Sequence, residues 1–123
     1  MKTVSTDKAP AAIGPYSQAK IAGGFVYTSG QIPVNPSTGL IEADTIEGQT
    51  KQVCENVAAL LKAAGTSIDK VIKTVCFLAD INDFASFNAV YAQYFTSNPA
   101  RSCVAVKDIP KNSLVEIECI AEL

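Results

Sequence analysis

Two β-rich runs in the last quarter of the chain carry charge where a sheet ordinarily places apolar or neutral groups. The first, Arg101–Val106, opens on an arginine. The second, Leu114–Glu122, contains Glu116 and Glu118. Residues two apart on a strand project from the same face, so these glutamates share one side of the sheet. With the runs as neighbouring strands, a guanidinium and a carboxylate can form a structural ion pair. They can equally form an anion clamp beside a general base. The first arrangement belongs to a scaffold and the second to an enzyme.

Bulk properties narrow the field. A chain of 123 residues makes one domain with a real core. Hydrophobic residues at 48% against 18% charged indicate a folded, soluble protein rather than a disordered one. Net charge is −2, and no two Lys or Arg residues are adjacent. A nucleic-acid partner is disfavoured, because phosphate binding draws on a basic patch. Met1–Ala12 contains no apolar signal region, and no apolar run reaches the ~18–20 residues of a membrane helix. The expected compartment is therefore the cytoplasm, with no membrane partner. Cys54, Cys76, Cys103 and Cys119 are scattered, and histidine is absent. This removes most zinc sites and every triad built on an imidazole base. Hydrolytic chemistry here must rest on a carboxylate, a tyrosine or backbone groups.

Periodicity and breakers predict the elements. Gly23-Gly24 joins two strands, Ser17–Ala22 and Phe25–Ser29, as a hairpin. Asn35–Gly39 is a turn leading to a short strand at Leu40-Ile41. A helix runs from Thr45 to Ala64, with Asp44 as N-cap, Glu47 completing a capping-box-like pair and Gly65 as terminator. Its stripe is Ile46, Val53, Val57, Leu60, Leu61 and Ala64. Val71–Leu78 reads as a strand. A second helix starts near Asp83, with Phe84, Phe87, Tyr91, Tyr94 and Phe95 as its core face and Pro99 beyond its end. The last two strands flank a turn at Pro110-Lys111-Asn112. The order is β-β-β-α-β-α-β-β, an α+β domain spanning 1–123 with two helices on one face of a mixed sheet. In the last strand Val115, Ile117, Cys119 and Ala121 belong under the helices. Glu116, Glu118, Ile120 and Glu122 face water or another subunit.

Four segments, in order, resemble the Rid (YjgF) family of enamine/imine deaminases. Pro10-Ala11-Ala12-Ile13-Gly14-Pro15-Tyr16-Ser17-Gln18 resembles its N-terminal motif, and Tyr27–Pro33 its second strand and following turn. Asn82-Asp83-Phe84 is similar to the start of its second helix. Pro99-Ala100-Arg101-Ser102, Val104 and Glu116-Ile117 are similar to its C-terminal signature. One departure is the link Thr96-Ser97-Asn98, shorter than usual in the family, with Asn98 where an aromatic is common. The resemblance implies a chorismate-mutase-like fold, a homotrimer with clefts between subunits, and no cofactor or metal.

It also implies roles, each beside a plainer alternative. Arg101 would clamp a substrate carboxylate; otherwise it is a strand-end salt bridge. Glu116 would orient and deprotonate water; otherwise it is solvated, as Glu118 is taken to be. Tyr16 would line the site with its hydroxyl, or simply pack at a strand entrance. Ser29 and Gly30 would border the substrate, or form a bulge. Asn88 would lie near the cleft, or be a helix-surface amide. Cys103 would line the cleft wall, or be a small buried hydrophobe; it has no base partner and is not assigned as a nucleophile. The implied reaction is hydrolysis of 2-imino or 2-enamino acids, such as 2-iminobutanoate and 2-iminopropanoate, to 2-keto acids and ammonia. The alternatives are a 2-keto acid sensor without turnover, or a translation- or RNA-directed regulator of ribonuclease type.

Overall fold

Alternation along the last strand sets the layers of the fold. In the computed structural model, which describes residues 1–123, Val115, Ile117, Cys119 and Ala121 are all buried while Glu116, Glu118 and Ile120 between them are half-buried. The elements are β1 (Lys2–Val4), β2 (Ala19–Ala22), β3 (Phe25–Thr28), α1 (Ile46–Ala64), β4 (Val71–Leu78), α2 (Phe84–Tyr94), β5 (Ala100–Ala105) and β6 (Val115–Glu122). One six-stranded sheet runs β1-β2-β3-β6-β4-β5, so β6 is interior. It pairs antiparallel with both β3 and β4, and β4 pairs parallel with β5 through the α2 crossover. Both helices cover the face that bears Ile117 and Cys119. Val53, Val57, Leu60 and Leu61 of α1 join Phe87, Tyr91 and Phe95 in a single core with the β6 residues. Each such side chain contributes about 1.5–3 kcal/mol by leaving water.

The α+β architecture is the expected one, with four differences in detail. Helix α1 is capped by Thr45, not Asp44: the Thr45 hydroxyl accepts from the Gly48 N–H at 3.1 Å on an extended residue. Asp44 is exposed, outside the turn whose amides need an acceptor. Leu40-Ile41 is not a strand; Ile41 makes only an isolated bridge with Val34. A short polar strand, β1, lies at the sheet edge where no alternation announced it. The strands read as Ser17–Ala22, Phe25–Ser29, Arg101–Val106 and Leu114–Glu122 are each displaced or trimmed by one or two residues at an end. The Gly23-Gly24 hairpin holds, both residues having positive φ as a tight two-residue turn requires.

Three buried amides off the apolar stripe fasten the loops. Asn56 donates to the carbonyls of Ile32 and Val34 at 3.0 and 2.9 Å. Gln49 donates to Ala43 and accepts from the Leu114 N–H. The Gln18 side chain accepts from the Thr6 N–H and donates toward the carbonyls of Thr6, Ala9 and Pro10. Loop backbone buried against a helix layer must find partners, and these amides supply them. Gly65, in the left-handed region at φ 94, ends α1.

The cap assignment is directly testable. Thr45→Ala should lower unfolding free energy by about 1 kcal/mol, whereas Asp44→Ala should leave it near the parent value. Urea denaturation of both variants measures the difference, and the opposite ranking would return the cap to Asp44.

Candidate active site

Arg101 stands opposite Thr74 in the β4–β5 pairing, and Thr74 is buried on the helix face. The arginine therefore meets α2. Phe84, Phe87, Asn88 and Tyr91 recur at helical spacing and present one face to it. The guanidinium carbon lies 4.9 Å from the Tyr91 ring centre, 5.4 Å from Phe84 and 5.9 Å from Phe87. Nη1 donates to Asn88 Oδ1 at 2.7 Å. Tyr91 is itself fixed, stacked on Phe95 with ring centres 4.4 Å apart and its hydroxyl 2.7 Å from Thr74 Oγ1. Ring faces attract the cation and flank it without accepting its protons. A cavity of about 330 Å³ opens beside it, lined in part by Asn88, Tyr91, Asn98, Pro99 and Arg101. Asn98 sits in the left-handed region at φ 53, a conformation asparagine tolerates. Cys103 shares the Arg101 face, opposite Cys76. Burial pushes the Cys103 thiol up and the Arg101 charge draws it partly back. A thiol so raised stays protonated at neutral pH and does not suit a nucleophile, and Cys103 is not among the residues lining that cavity.

Glu116 lies on the other face of the sheet. It stands opposite Phe77 on β4, and Glu118 opposite Val75. Strand β4 separates β5 from β6, so Arg101 and the glutamates are not on neighbouring strands. Thr74 and Phe77 are three residues apart. Two strand spacings across and three residues along put the Arg101 and Glu116 Cα atoms roughly 14 Å apart. Opposite faces add to that separation, and the ion pair open from sequence is not formed. The Glu116 side chain packs directly on Gly30: a Cβ added there would fall 2.1 Å from Glu116 Oε2. Gly30 is thus required for close approach and not for a turn conformation. Glu116 is half-buried, and its carboxyl is held above the ordinary range, first by burial and then by the charge of Glu118.

Tyr16 is 53% exposed on an arm that precedes β2. Together with Gly30 it borders a cavity of about 610 Å³, to which Ile13, Gln31, Ile32 and Lys111 contribute. The Ser29 hydroxyl is already engaged: it donates to the Ser17 carbonyl at 2.6 Å, while the Ser29 N–H donates to the Gln18 carbonyl at 2.9 Å. Ser29 does not line this cavity; it fastens the base of the Tyr16 arm.

The sequence-predicted residues therefore fall into two groups within the chain. Arg101, Asn88 and Cys103 gather under α2. Glu116, Gly30, Ser29 and Tyr16 gather at the end of β3 and β6. The arrangement offers a fixed cation for an anionic group and a separate carboxylate poised to take a proton. Tyr91 and Phe87 are core, as expected, whereas Phe84 is 37% exposed; all three rings flank the guanidinium. Their spacing from Asn88 carried the signal, but which face of α2 met Arg101 was not in the sequence. No group of three or more His, Cys, Asp or Glu side chains is placed to hold a metal ion, and no helix is long and apolar enough to cross a membrane.

A sheet covered on one side by two helices, with a half-buried glutamate on its other side, makes an α+β domain whose solved likenesses are of the Rid type. The family described as Endoribonuclease L-PSP matches residues 6–123, and this chain belongs to that family, the Rid (YjgF) family of the sequence motifs. It is 56% identical over 124 residues to a Lactococcus lactis protein that bears a regulator's name, AldR, covering 100% of this chain and 98% of the relative. It is 49% identical over 124 residues to the 2-iminobutanoate/2-iminopropanoate deaminase of Escherichia coli, covering 98% and 96%. The crystal structure of E. coli TdcF with bound serine superposes with a TM-score of 0.95 at 47% identity, covering 100% and 99%.

The raised Glu116 carboxyl has a signed consequence for stability. With the folded pKa above the unfolded one, the native state holds the proton more tightly, and stability is lost as pH rises through the folded value. Glu116→Gln should be more thermostable than the parent at pH 7. The advantage should shrink as pH falls toward the unfolded carboxylate range near ~4.3. Thermal scans across that window test it; a variant less stable at pH 7 than at pH 4, relative to the parent, contradicts the assignment.

Proposed function

We propose that this protein hydrolyses 2-imino and 2-enamino acids to 2-keto acids and ammonia, as a homotrimer with its sites between subunits. The observation that carries the reading is the pair of groups just described: a guanidinium bedded on aromatic rings, and a half-buried carboxylate with raised proton affinity. The name of the E. coli relative supports the same chemistry.

Arg101 binds the substrate carboxylate, for which the planar guanidinium fork is suited. An enamine first takes a proton at C3 and gives one up from nitrogen, becoming the imine. Glu116 then removes a proton from water, and the oxygen attacks C2 of the imine to give a carbinolamine. Glu116 returns that proton to nitrogen and then relays the hydroxyl proton there too, so that the C–N bond breaks and ammonia leaves as the carbonyl forms. The sum is one imine and one water giving one 2-keto acid and one ammonia. Tyr16 orients the water or the substrate, Gly30 bounds the site, Ser29 fastens the Tyr16 arm, and Cys103 shares the Arg101 face. A carboxyl with raised pKa lies closer to the operating pH, where a base is most effective.

Carboxylate and C2 are adjacent atoms of the substrate. Groups roughly 14 Å apart on opposite faces of one sheet cannot serve both, so Arg101 and Glu116 come from different protomers. Exposed Tyr27 and Val104 share the Glu116 face with half-buried Ile120 and give a second copy apolar surface to bury. All four cysteines are free, which suits the reducing cytoplasm to which we assign the protein.

The reaction is tested by generating 2-iminobutyrate in situ from a dehydratase and timing 2-ketobutyrate with and without this protein. Unchanged timing rejects the activity. Arg101→Lys keeps charge but loses the fork and should cost about 10–100-fold in kcat/KM. Near-parental turnover would make Arg101 structural. Glu116→Gln should lose about 10²–10⁴-fold in kcat while binding 2-ketobutyrate normally, with Glu118→Gln mild by comparison. The reverse ranking would move the base to Glu118. Light scattering should report a trimer, and a fully active monomer would end the shared site.

A further inference from the structure

A cation taken partly out of water ordinarily meets a carboxylate. Arg101 does not. Its hydrogen-bonded partner is the neutral Asn88 amide, and its flanks are three ring faces. Cys76, Cys103 and Tyr91 also feel its charge, and each is raised by burial and so uncharged at neutral pH. The carboxylate charge acting on Glu116 is that of Glu118. Position 88 is where a counter-ion would most easily be built. An aspartate there has nearly the same shape as asparagine and would bond a guanidinium more strongly, because both partners would be charged. It would also neutralise the group it held.

The amide oxygen does half of this. It takes one N–H of Nη1 and fixes the guanidinium plane over Tyr91, leaving four of the five N–H donors and the full charge unspent. The rings cover the faces of the fork and leave its edges open. We propose that Asn88 is a positioning residue whose neutrality keeps the Arg101 charge available, so that the site selects small molecules carrying one carboxylate. This rests on the reading of Arg101 as the carboxylate clamp of the proposed reaction.

The test compares the intact parent with Asn88→Asp and Asn88→Ala. Calorimetry is run with 2-ketobutyrate and with its neutral analogue 2-ketobutyramide, and a thermal scan is recorded for each protein. The parent should prefer the acid to the amide. Asn88→Asp should keep or raise the melting temperature, bind 2-ketobutyrate about 10–100-fold more weakly, and lose the preference for acid over amide. Asn88→Ala should retain that preference while both affinity and kcat/KM fall a few-fold, because the charge is free but the plane is untethered. An Asn88→Asp protein that binds the acid as the parent does, with the same preference, overturns the proposal and leaves the clamp standing. A parent that binds neither ligand overturns the clamp reading and the proposal with it.

Discussion

The alternation of β6 governs both the core and the chemistry. Val115, Ile117, Cys119 and Ala121 must lie beneath the helices, and that requirement forces Glu116, Glu118 and Ile120 onto the opposite face. A one-residue slip would drive two carboxylates into the core and four apolar groups out of it, so the register is strongly fixed. Because β6 is interior and paired on both edges, its register also fixes those of β3 and β4. The position of Glu116 against Gly30 is therefore a by-product of core packing, set by a strand paired on both edges.

The two charged groups occupy different electrostatic settings. Arg101 is desolvated by aromatic faces and an amide, surroundings that leave its charge intact. Glu116 is desolvated beside a second carboxylate, surroundings that raise its proton affinity. Had the two been neighbours, each would have cancelled the other: the guanidinium would hold Glu116 ionised and weakly basic, and the carboxylate would occupy the fork. The intervening β4 and the thickness of the sheet prevent this within the chain.

The loops around the site are ordered by side chains that the hydrophobic pattern ignores. Gln18 gathers residues 6–10, the Ser29 hydroxyl holds Ser17, and Asn56 and Gln49 tie the segments at 32–34, 43 and 114 to α1. Each places a polar group inside the protein and removes a buried backbone group from the unpaired state, which would cost about 1–3 kcal/mol. The arm bearing Tyr16 thus has a fixed base and an exposed tip, an arrangement suited to meeting a ligand or a second subunit.

Much of this was legible in one dimension. Local pattern gave both helices, the Gly23-Gly24 hairpin, the Gly65 stop and the two faces of β6, because backbone periodicity and glycine conformation act over a few residues. Motif order carried the family and with it Arg101, Glu116, Tyr16 and Gly30 as candidates. Which strand lay between Arg101 and Glu116 was decided by the parallel crossover through α2, a long-range event that no local pattern encodes. The same crossover set which face of α2 met Arg101, leaving Tyr91 in the core beneath it, Phe84 partly exposed beside it and Asn88 within hydrogen-bond reach of it. The cap moved from Asp44 to Thr45 because only the geometry of the first turn selects between adjacent capable side chains. The residue types were thus set by sequence. Their distances and faces were set by strand order, which depends on burying apolar surface across the whole chain at once.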